Sequence, residues 1–175
     1  MSASDQIRRA IRDIPDFPKP GILFRDITPI LKDPAIFRLA ISEFVRGAKA
    51  AGAQKIAGID ARGFLFGATV AHELNVGFVP IRKKGKLPFS TLSEAYDLEY
   101  GSAEVEVHSD AFGPGERVVL IDDLLATGGT AAAAIRLIQR AGGTPVLTQF
   151  LIELAGLNGR KALGDVPVSA IISYS

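Results

Sequence analysis

Short apolar runs alternate with longer amphipathic segments along most of this chain. The apolar runs are of strand length and cover residues 55–59, 76–81, 118–121 and 145–152. Segments with apolar residues at helical spacing cover residues 34–52, 64–74 and 131–141. Because wholly apolar strands joined by helices are typical of βαβ units, the pattern predicts an α/β fold with a mostly parallel central sheet flanked by helices.

The N-terminal region departs from this alternation. Ile7, Ile11 and Ile14 recur at helical spacing behind Ser4, which predicts a short capped helix. Residues 17–30 are rich in proline and yet apolar, which predicts an extended, packed segment rather than a flexible linker.

Two further regions also break the pattern. Residues 83–116 are richer in charge and turn residues, with alternation at Val105 and Val107, and we expect a long flap built from two strands. The tail, Val166–Tyr174, reads as a further strand at the edge of the sheet or over it.

Composition narrows the class of protein. The 175 residues fit a single domain, and 47% apolar with 22% charged residues is typical of a globular chain. A net charge of +1 argues against a broad basic surface for nucleic acid, and the absence of cysteine excludes disulfides and thiolate chemistry. No run approaches a membrane span, and the first residues lack the apolar core of a signal peptide, so we expect a cytoplasmic location.

The segment Val118–Thr130 carries the strongest chemical signal. Four apolar residues are followed by Asp122 and Asp123, then by the loop Ala126–Thr130 and an alanine-rich helix. A glycine and threonine loop at a helix N-terminus offers unpaired N–H groups to a phosphate. The acids repel that phosphate but suit hydroxyls or a cation on the same ligand, so the segment predicts a site for a sugar phosphate.

A second loop repeats this order of strand, polar turn and helix. It contains Asp60, Ala61, Arg62 and Gly63. Arginine can give paired hydrogen bonds to phosphate oxygens, and glycine lets the backbone approach closely. Taken alone, the loop is equally compatible with a surface arginine at a turn.

Four cations follow the strand at 76–81. They are Arg82, Lys83, Lys84 and Lys86, beside Gly85. Such a run is usually a solvated face, but the carboxyl end of this strand should border the ligand crevice, and we therefore expect contact with a pyrophosphate.

The residues Asp122–Thr130 resemble the phosphoribosyl-pyrophosphate signature of type I phosphoribosyltransferases, in the variant of the adenine-specific members. The resemblance extends from about Ile7 to Tyr174, and the one small departure is Asp60, where relatives commonly have glutamate. It implies the fold of that family as one domain over residues 1–175, with an N-terminal hood (1–33) and a flexible catalytic flap (82–106).

The resemblance also implies a role for each candidate residue. Ala126, Thr127, Gly128, Gly129 and Thr130 would bind the 5′-phosphate, and the pyrophosphate would lie against Asp60, Ala61, Arg62, Gly63, Arg82, Lys83 and Lys86. Catalysis would involve Glu99, Asp122, Asp123 and Arg62, with Glu99 managing a purine proton and Tyr100 packing over the site. The Asp60–Ala61 peptide would be cis.

The base would be held by a different set. In the relatives' hood, which Gly21–Pro29 resembles, Phe24 would stack on adenine and Arg25 would read it through its backbone, while Leu154 would close the other face. From the residues alone, Phe24 and Leu154 are better explained as core packing. An adenine offers a donor and an acceptor that extended backbone can complement, whereas a 6-oxopurine reverses that pattern.

The implied activity is formation of AMP and pyrophosphate from adenine and phosphoribosyl pyrophosphate, in purine salvage. Mg²⁺ would be carried mainly by substrate oxygens, with no direct protein ligand; His72 and His108 read as structural. Relatives are often dimers, which implies a homodimer, and neither nucleic acid nor membrane is expected as a partner. Two alternatives stay open: a phosphoribosyltransferase for a 6-oxopurine, and a regulator that kept the ligand site and binds DNA.

Overall fold

The structure is a computed structural model that describes residues 2–97 and 101–175. In chain order, its elements are α1 (Ala3–Ala10), β1 (Arg12–Pro15), β2 (Leu23–Asp26), α2 (Thr28–Lys32), α3 (Pro34–Ala50), β3 (Lys55–Ile59), α4 (Arg62–Leu74), β4 (Gly77–Lys83), β5 (Thr91–Asp97), β6 (Ser102–His108), β7 (Arg117–Leu125), α5 (Gly129–Arg140), β8 (Thr144–Leu154) and β9 (Val168–Tyr174). Two short 3₁₀ turns, Ala155–Leu157 and Gly159–Leu163, lie between β8 and β9. Contacts divide the chain into two compact units, of which the first ends at Glu43 and the second spans Phe44–Ser175.

The first unit begins with the helix predicted there, but its cap is Ser2 and not Ser4. The Ser2 hydroxyl accepts from the Asp5 amide at 3.1 Å, and the Asp5 carboxylate accepts from the Ser2 amide at 3.0 Å. This reciprocal capping box satisfies two donors that a cap at Ser4 would leave unpaired. The helix also ends earlier than predicted, because Ile11 is extended and Ile14 belongs to β1.

The rest of the first unit contains a small antiparallel ribbon. β1 pairs with β2 in a register that sets Asp13 opposite Arg25 and Ile14 opposite Phe24. The predicted extended segment, residues 17–30, is therefore a strand only over Leu23–Asp26, and α2 begins within it at Thr28. Phe17 and Leu23 are exposed, so packing of this segment is less complete than the sequence predicted.

The second unit is built on a seven-stranded sheet in the order β5-β6-β4-β3-β7-β8-β9. β3, β4, β7, β8 and β9 pair in parallel, whereas β5 and β6 form the predicted antiparallel excursion. The core lies between the sheet and the buried face of α5, and includes Leu120, Leu137 and Ile138. The prediction of a mostly parallel sheet flanked by helices is confirmed.

One strand differs from its prediction in a way that affects the site. β7 continues past Ile121 to Leu125, so Asp122 and Asp123 belong to the strand instead of following it. The extension is possible because β8 is long enough to pair with it, with Leu124 opposite Ile152 and Leu125 opposite Glu153. Successive strand residues face opposite sides of a sheet, and the two carboxylates therefore leave the backbone in different directions.

Candidate functional site

The two adjacent acids of β7 have different surroundings. Asp123 is buried, while Asp122 is only partly buried by area and accepts a hydrogen bond from the Asp123 amide at 2.8 Å. Loss of solvation raises the pKa of Asp122 well above its ordinary range, and the negative charge of Asp123 raises it further. A second negative charge is therefore unfavourable at this position until a ligand supplies hydrogen bonds or a cation.

Arg62 connects the second predicted loop to these acids. Its Nε donates to Oδ2 of Asp123, and its side chain is 51% exposed against 9% for Asp123. Partial burial would lower the pKa of Arg62, but the hydrogen bond and the charge of Asp123 outweigh it and raise that pKa. The guanidinium stays charged and keeps half of its surface open to a ligand.

The loops that follow β3 and β7 lie close together, and Gly63 is the residue at which they approach. β3 and β7 are neighbouring parallel strands, so the segments that follow them leave the same edge of the sheet. A Cβ added at Gly63 would lie 2.7 Å from the carbonyl oxygen of Ile121 and 3.0 Å from Oδ1 of Asp122. Only glycine allows this approach. The peptide bond between Asp60 and Ala61 is cis, as the resemblance implies.

One residue of the basic run, Arg82, contacts the loop that contains Asp60. Arg82 donates from Nε to Oδ2 of Asp60 at 3.2 Å and from Nη1 to the carbonyl oxygen of Lys86 at 3.2 Å. Lys84 is paired with Glu104, whereas the exposed side chains of Lys83 and Lys86 form no ion pair with the residues that the structure describes. These two ammonium groups are available to an anion.

The loop after β7 encloses a small cavity. It has a volume of about 80 Å³ and is lined by Asp122 and Leu124–Ala131. α5 begins at Gly129 behind Gly128, whose φ of 86° suits glycine, and the first helical hydrogen bond runs from the Ala132 amide to the Gly128 carbonyl oxygen at 2.9 Å. The amides before Ala132 have no partner in the helix and can bind a phosphate.

The flap strand β5 ends beside this loop. A Cβ added at Gly129 would lie 3.5 Å from the carbonyl oxygen of Asp97 and 3.6 Å from Cδ2 of Tyr96. Glu94 fixes the strand to α5 by accepting from Arg136 at 2.6 Å and from Arg140 at 2.7 Å. These contacts were not predicted from the sequence. Glu99 and Tyr100 lie outside the described residues.

The predicted base-binding residues belong to both units. Leu154 is the last residue of β8, partly buried and opposite Tyr174 of β9. In the first unit, Phe24 packs edge to face on Phe17 with 5.1 Å between ring centroids, and Arg25 pairs with Asp13 across the ribbon. Extended backbone at Arg25 is the geometry that reading a base by main-chain groups requires.

No group of three or more metal-ligating side chains occurs within residues 2–97 and 101–175. His72 is exposed, and Nε2 of His108 is buried without a hydrogen-bond partner, beside the ring of Phe89. Mg²⁺ commonly takes one or two carboxylates together with substrate phosphates, and the pair Asp122 and Asp123 can supply oxygens of that kind. None of the described helices is long and apolar enough to span a membrane.

Gly159 is a residue of this site that the sequence analysis missed. It begins the second 3₁₀ turn and lies against Leu125 and Ala126 at the start of the phosphate-type loop. Its contact joins positions more than thirty residues apart, which no local pattern reveals. The only available signal was a pair of glycines, Gly156 and Gly159, in a short segment after an apolar strand.

Comparisons with known proteins agree with this geometry. Residues 32–165 match the phosphoribosyl transferase domain family. The adenine phosphoribosyltransferase of Neorhizobium galegae is 57% identical over 162 residues, covering 93% of this chain and 90% of the relative. The crystal structure of the Rhodothermus marinus adenine phosphoribosyltransferase superposes with a TM-score of 0.92 at 52% identity, covering 98% of both chains.

A third comparison includes ligands. The Saccharomyces cerevisiae adenine phosphoribosyltransferase, solved with an imino-altritol bisphosphate and adenine, has a TM-score of 0.93 and 39% identity, covering 97% of this chain and 98% of that one. The domain match, the identity over nearly the full length and the shared fold establish that this chain belongs to the phosphoribosyl transferase domain family, among the adenine phosphoribosyltransferases.

Proposed function

We propose that this chain transfers the phosphoribosyl group of phosphoribosyl pyrophosphate to adenine, giving AMP and pyrophosphate in purine salvage. The relatives that carry this name match it at high identity over nearly their full length. The observation in the structure that carries the proposal is the meeting of two anion-binding loops at the ends of β3 and β7, joined by Arg62 and Asp123.

The substrate's 5′-phosphate binds the loop Ala126–Thr130. The cavity there is small, polar along its backbone and placed at the N-terminus of α5, which favours negative charge. The resemblance implies that the carboxylates of Asp122 and Asp123 accept hydrogen bonds from the ribose hydroxyls. The raised pKa of Asp122 in the free protein makes such donors favourable partners.

The pyrophosphate binds on the other side of the acids. Its ligands are the cis loop at Asp60 and Ala61, the exposed half of Arg62, and the basic residues Arg82, Lys83 and Lys86, with Gly63 holding the loop close to β7. In the reaction, the bond from C1′ to the pyrophosphate oxygen breaks while a purine nitrogen bonds to C1′ and loses its proton, for which the resemblance implies Glu99 as the acceptor. Positive charge develops at C1′, and the adjacent carboxylates stabilise it.

Mg²⁺, carried mainly by oxygens of the substrate, would supply positive charge that offsets part of the pyrophosphate charge. The resemblance implies that the flap excludes water, which would otherwise capture the same carbon, and it assigns the purine proton to Glu99 and a packing role to Tyr100. By the resemblance to the adenine-specific family members, Phe24 stacks on adenine and the backbone at Arg25 reads it. A 6-oxopurine would leave these buried groups unpaired.

The resemblance to the family also implies a domain organisation, an oligomeric state and a location for this chain. We expect one domain over residues 1–175, a homodimer and a cytoplasmic location. The solution mass, measured by light scattering, tests the dimer: twice the mass of the chain supports it, and the mass of one chain contradicts it.

The proposed function is tested by pyrophosphate release from phosphoribosyl pyrophosphate with Mg²⁺, with and without adenine. Release that depends on adenine supports the enzyme. Salt-sensitive binding of DNA without any release would instead support the regulatory alternative, because phosphate contacts make DNA affinity depend on salt.

A further inference from the structure

The segment Ala155–Leu163, which we name the brace, packs against the phosphate loop, and the proposed function gives it no role. A Cβ added at Gly159 would overlap the carbonyl oxygen of Ala126 and lie 2.9 Å from Cδ1 of Leu125. Reciprocally, a Cβ added at Gly128 would overlap the carbonyl oxygen of Gly159 and lie 3.0 Å from the Cβ of Ala162. The two backbones therefore touch at glycines on both sides.

The brace is itself held firmly. Arg160 donates from Nε and Nη2 to the two carboxylate oxygens of Glu153, at 2.6 and 2.7 Å, and from Nη1 to the carbonyl oxygen of Val168 at 2.9 Å. Glu153 is buried and stands opposite Leu125 in the sheet. Leu163, at the other end of the brace, belongs to the core. A paired guanidinium and a core leucine thus fix the part of the brace that follows Gly159.

We propose that Gly159 is a positioning residue for the phosphate loop. Because Gly159 has no side chain, the backbone of the brace packs directly against Ala126 and Gly128, and this contact fixes the orientation of the backbone N–H groups of the loop. The inference rests on the proposed function, in which this loop takes the 5′-phosphate. Gly159 touches no reacting atom. It acts only through the position of the loop.

Gly159 can be replaced by alanine without straining the backbone. Gly128 has a positive φ, so any side chain there would strain the backbone, whereas Gly159 does not have a positive φ and alanine is conformationally acceptable. Only the overlap with Ala126 and Leu125 would matter.

The experiment compares Gly159→Ala with Gly156→Ala. Gly156 lies in the same brace, has no atom within 4 Å of an added Cβ and has no positive φ. We expect Gly159→Ala to lower kcat/KM for phosphoribosyl pyrophosphate by about 10²-fold, the scale for a displaced binding group, while KM for adenine changes by less than about threefold. Gly156→Ala should match the wild type in both constants.

The outcomes separate the inference from the function on which it rests. A wild type without adenine-dependent turnover overturns the proposed function. An active wild type with Gly159→Ala indistinguishable from Gly156→Ala, or with an equal loss for both substrates, overturns the positioning role. If Gly159→Ala does not fold, Arg160→Lys decides: losing the paired contact with Glu153 should raise KM for phosphoribosyl pyrophosphate selectively, and an equal or absent effect contradicts the proposal.

Discussion

Arg62 donates a hydrogen bond from Nε to Oδ2 of Asp123, and this contact joins the loop after β3 to the acids of β7. Under the proposed function, the guanidinium of Arg62 binds pyrophosphate oxygens and the carboxylate of Asp123 binds ribose hydroxyls. Before substrate binds, the two groups neutralise each other and stay in place. Under the same proposal, substrate binding would replace this one charge-assisted hydrogen bond by several.

Asp123→Asn should separate catalysis from binding. The amide keeps the shape of the side chain but removes the charge that stabilises C1′, and it leaves Arg62 free for the pyrophosphate. We expect the single-turnover rate to fall about 10²-fold with little change in KM for phosphoribosyl pyrophosphate. The melting temperature should change little, as in the control Asp110→Asn at an exposed turn. An unchanged single-turnover rate would remove Asp123 from the mechanism.

Asp122→Asn should stabilise the free protein at neutral pH. The folded-state pKa of Asp122 is raised, so its contribution to stability is complete below the ordinary carboxyl pKa and is lost as pH rises through the folded value. Asparagine has no carboxyl group to ionise, so the variant does not lose this stability as pH rises. Thermal unfolding should be followed from pH 4 to pH 8. The melting temperature of the variant should rise relative to that of the wild type as pH increases, and the two melting temperatures should be closest at pH 4. A variant that melts below the wild type at pH 8 would refute the assignment.

Gly63→Ala should damage both the fold and the site. Its Cβ would meet the backbone of β7 at Ile121, which cannot yield as a flexible side chain can. We expect a loss of about 1 to 3 kcal/mol in the free energy of unfolding, the scale of overpacking, together with a fall in kcat/KM. Chemical denaturation measures the first and steady-state kinetics the second. Gly113→Ala is the matched control, since its added Cβ would have only Glu116 nearby, at 3.9 Å.

Lys86 and Lys84 offer a matched pair on the basic run. Lys86 is exposed and forms no ion pair with the part of the chain that the structure describes, whereas Lys84 is paired with Glu104 at 2.6 Å. Lys86→Gln should raise KM for phosphoribosyl pyrophosphate about fivefold, equivalent to about 1 kcal/mol, and the effect should shrink as salt is added. Lys84→Gln should leave KM unchanged. Equal effects of the two variants would mean that the run acts only through net charge.

The sequence predicted the features that depend on local pattern. β3 has the predicted bounds because residues 55–59 are an isolated apolar run. α4 and α5 begin within two residues of their predicted starts, because each follows a short turn directly after a strand. The two anion loops lie close together, as the resemblance implied, since parallel strands bring their carboxyl ends to one edge.

The features that depend on distant partners were not predictable in the same way. The end of β7 at Leu125 requires pairing with β8, and the cap at Ser2 competes with an equally plausible Ser4. The Glu94 contacts with α5 and the approach of Gly159 to Ala126 join segments more than thirty residues apart. Such contacts leave no periodic signal in either segment.

The most direct test is AMP formation from phosphoribosyl pyrophosphate and Mg²⁺, with adenine, hypoxanthine and guanine offered separately. We predict turnover with adenine at least about 10⁴-fold above that with either 6-oxopurine, the scale of discrimination when buried polar groups lose their partners. Turnover only with hypoxanthine or guanine would contradict the roles of Phe24, Arg25 and Leu154, and absence of turnover with all three bases would contradict the enzyme itself.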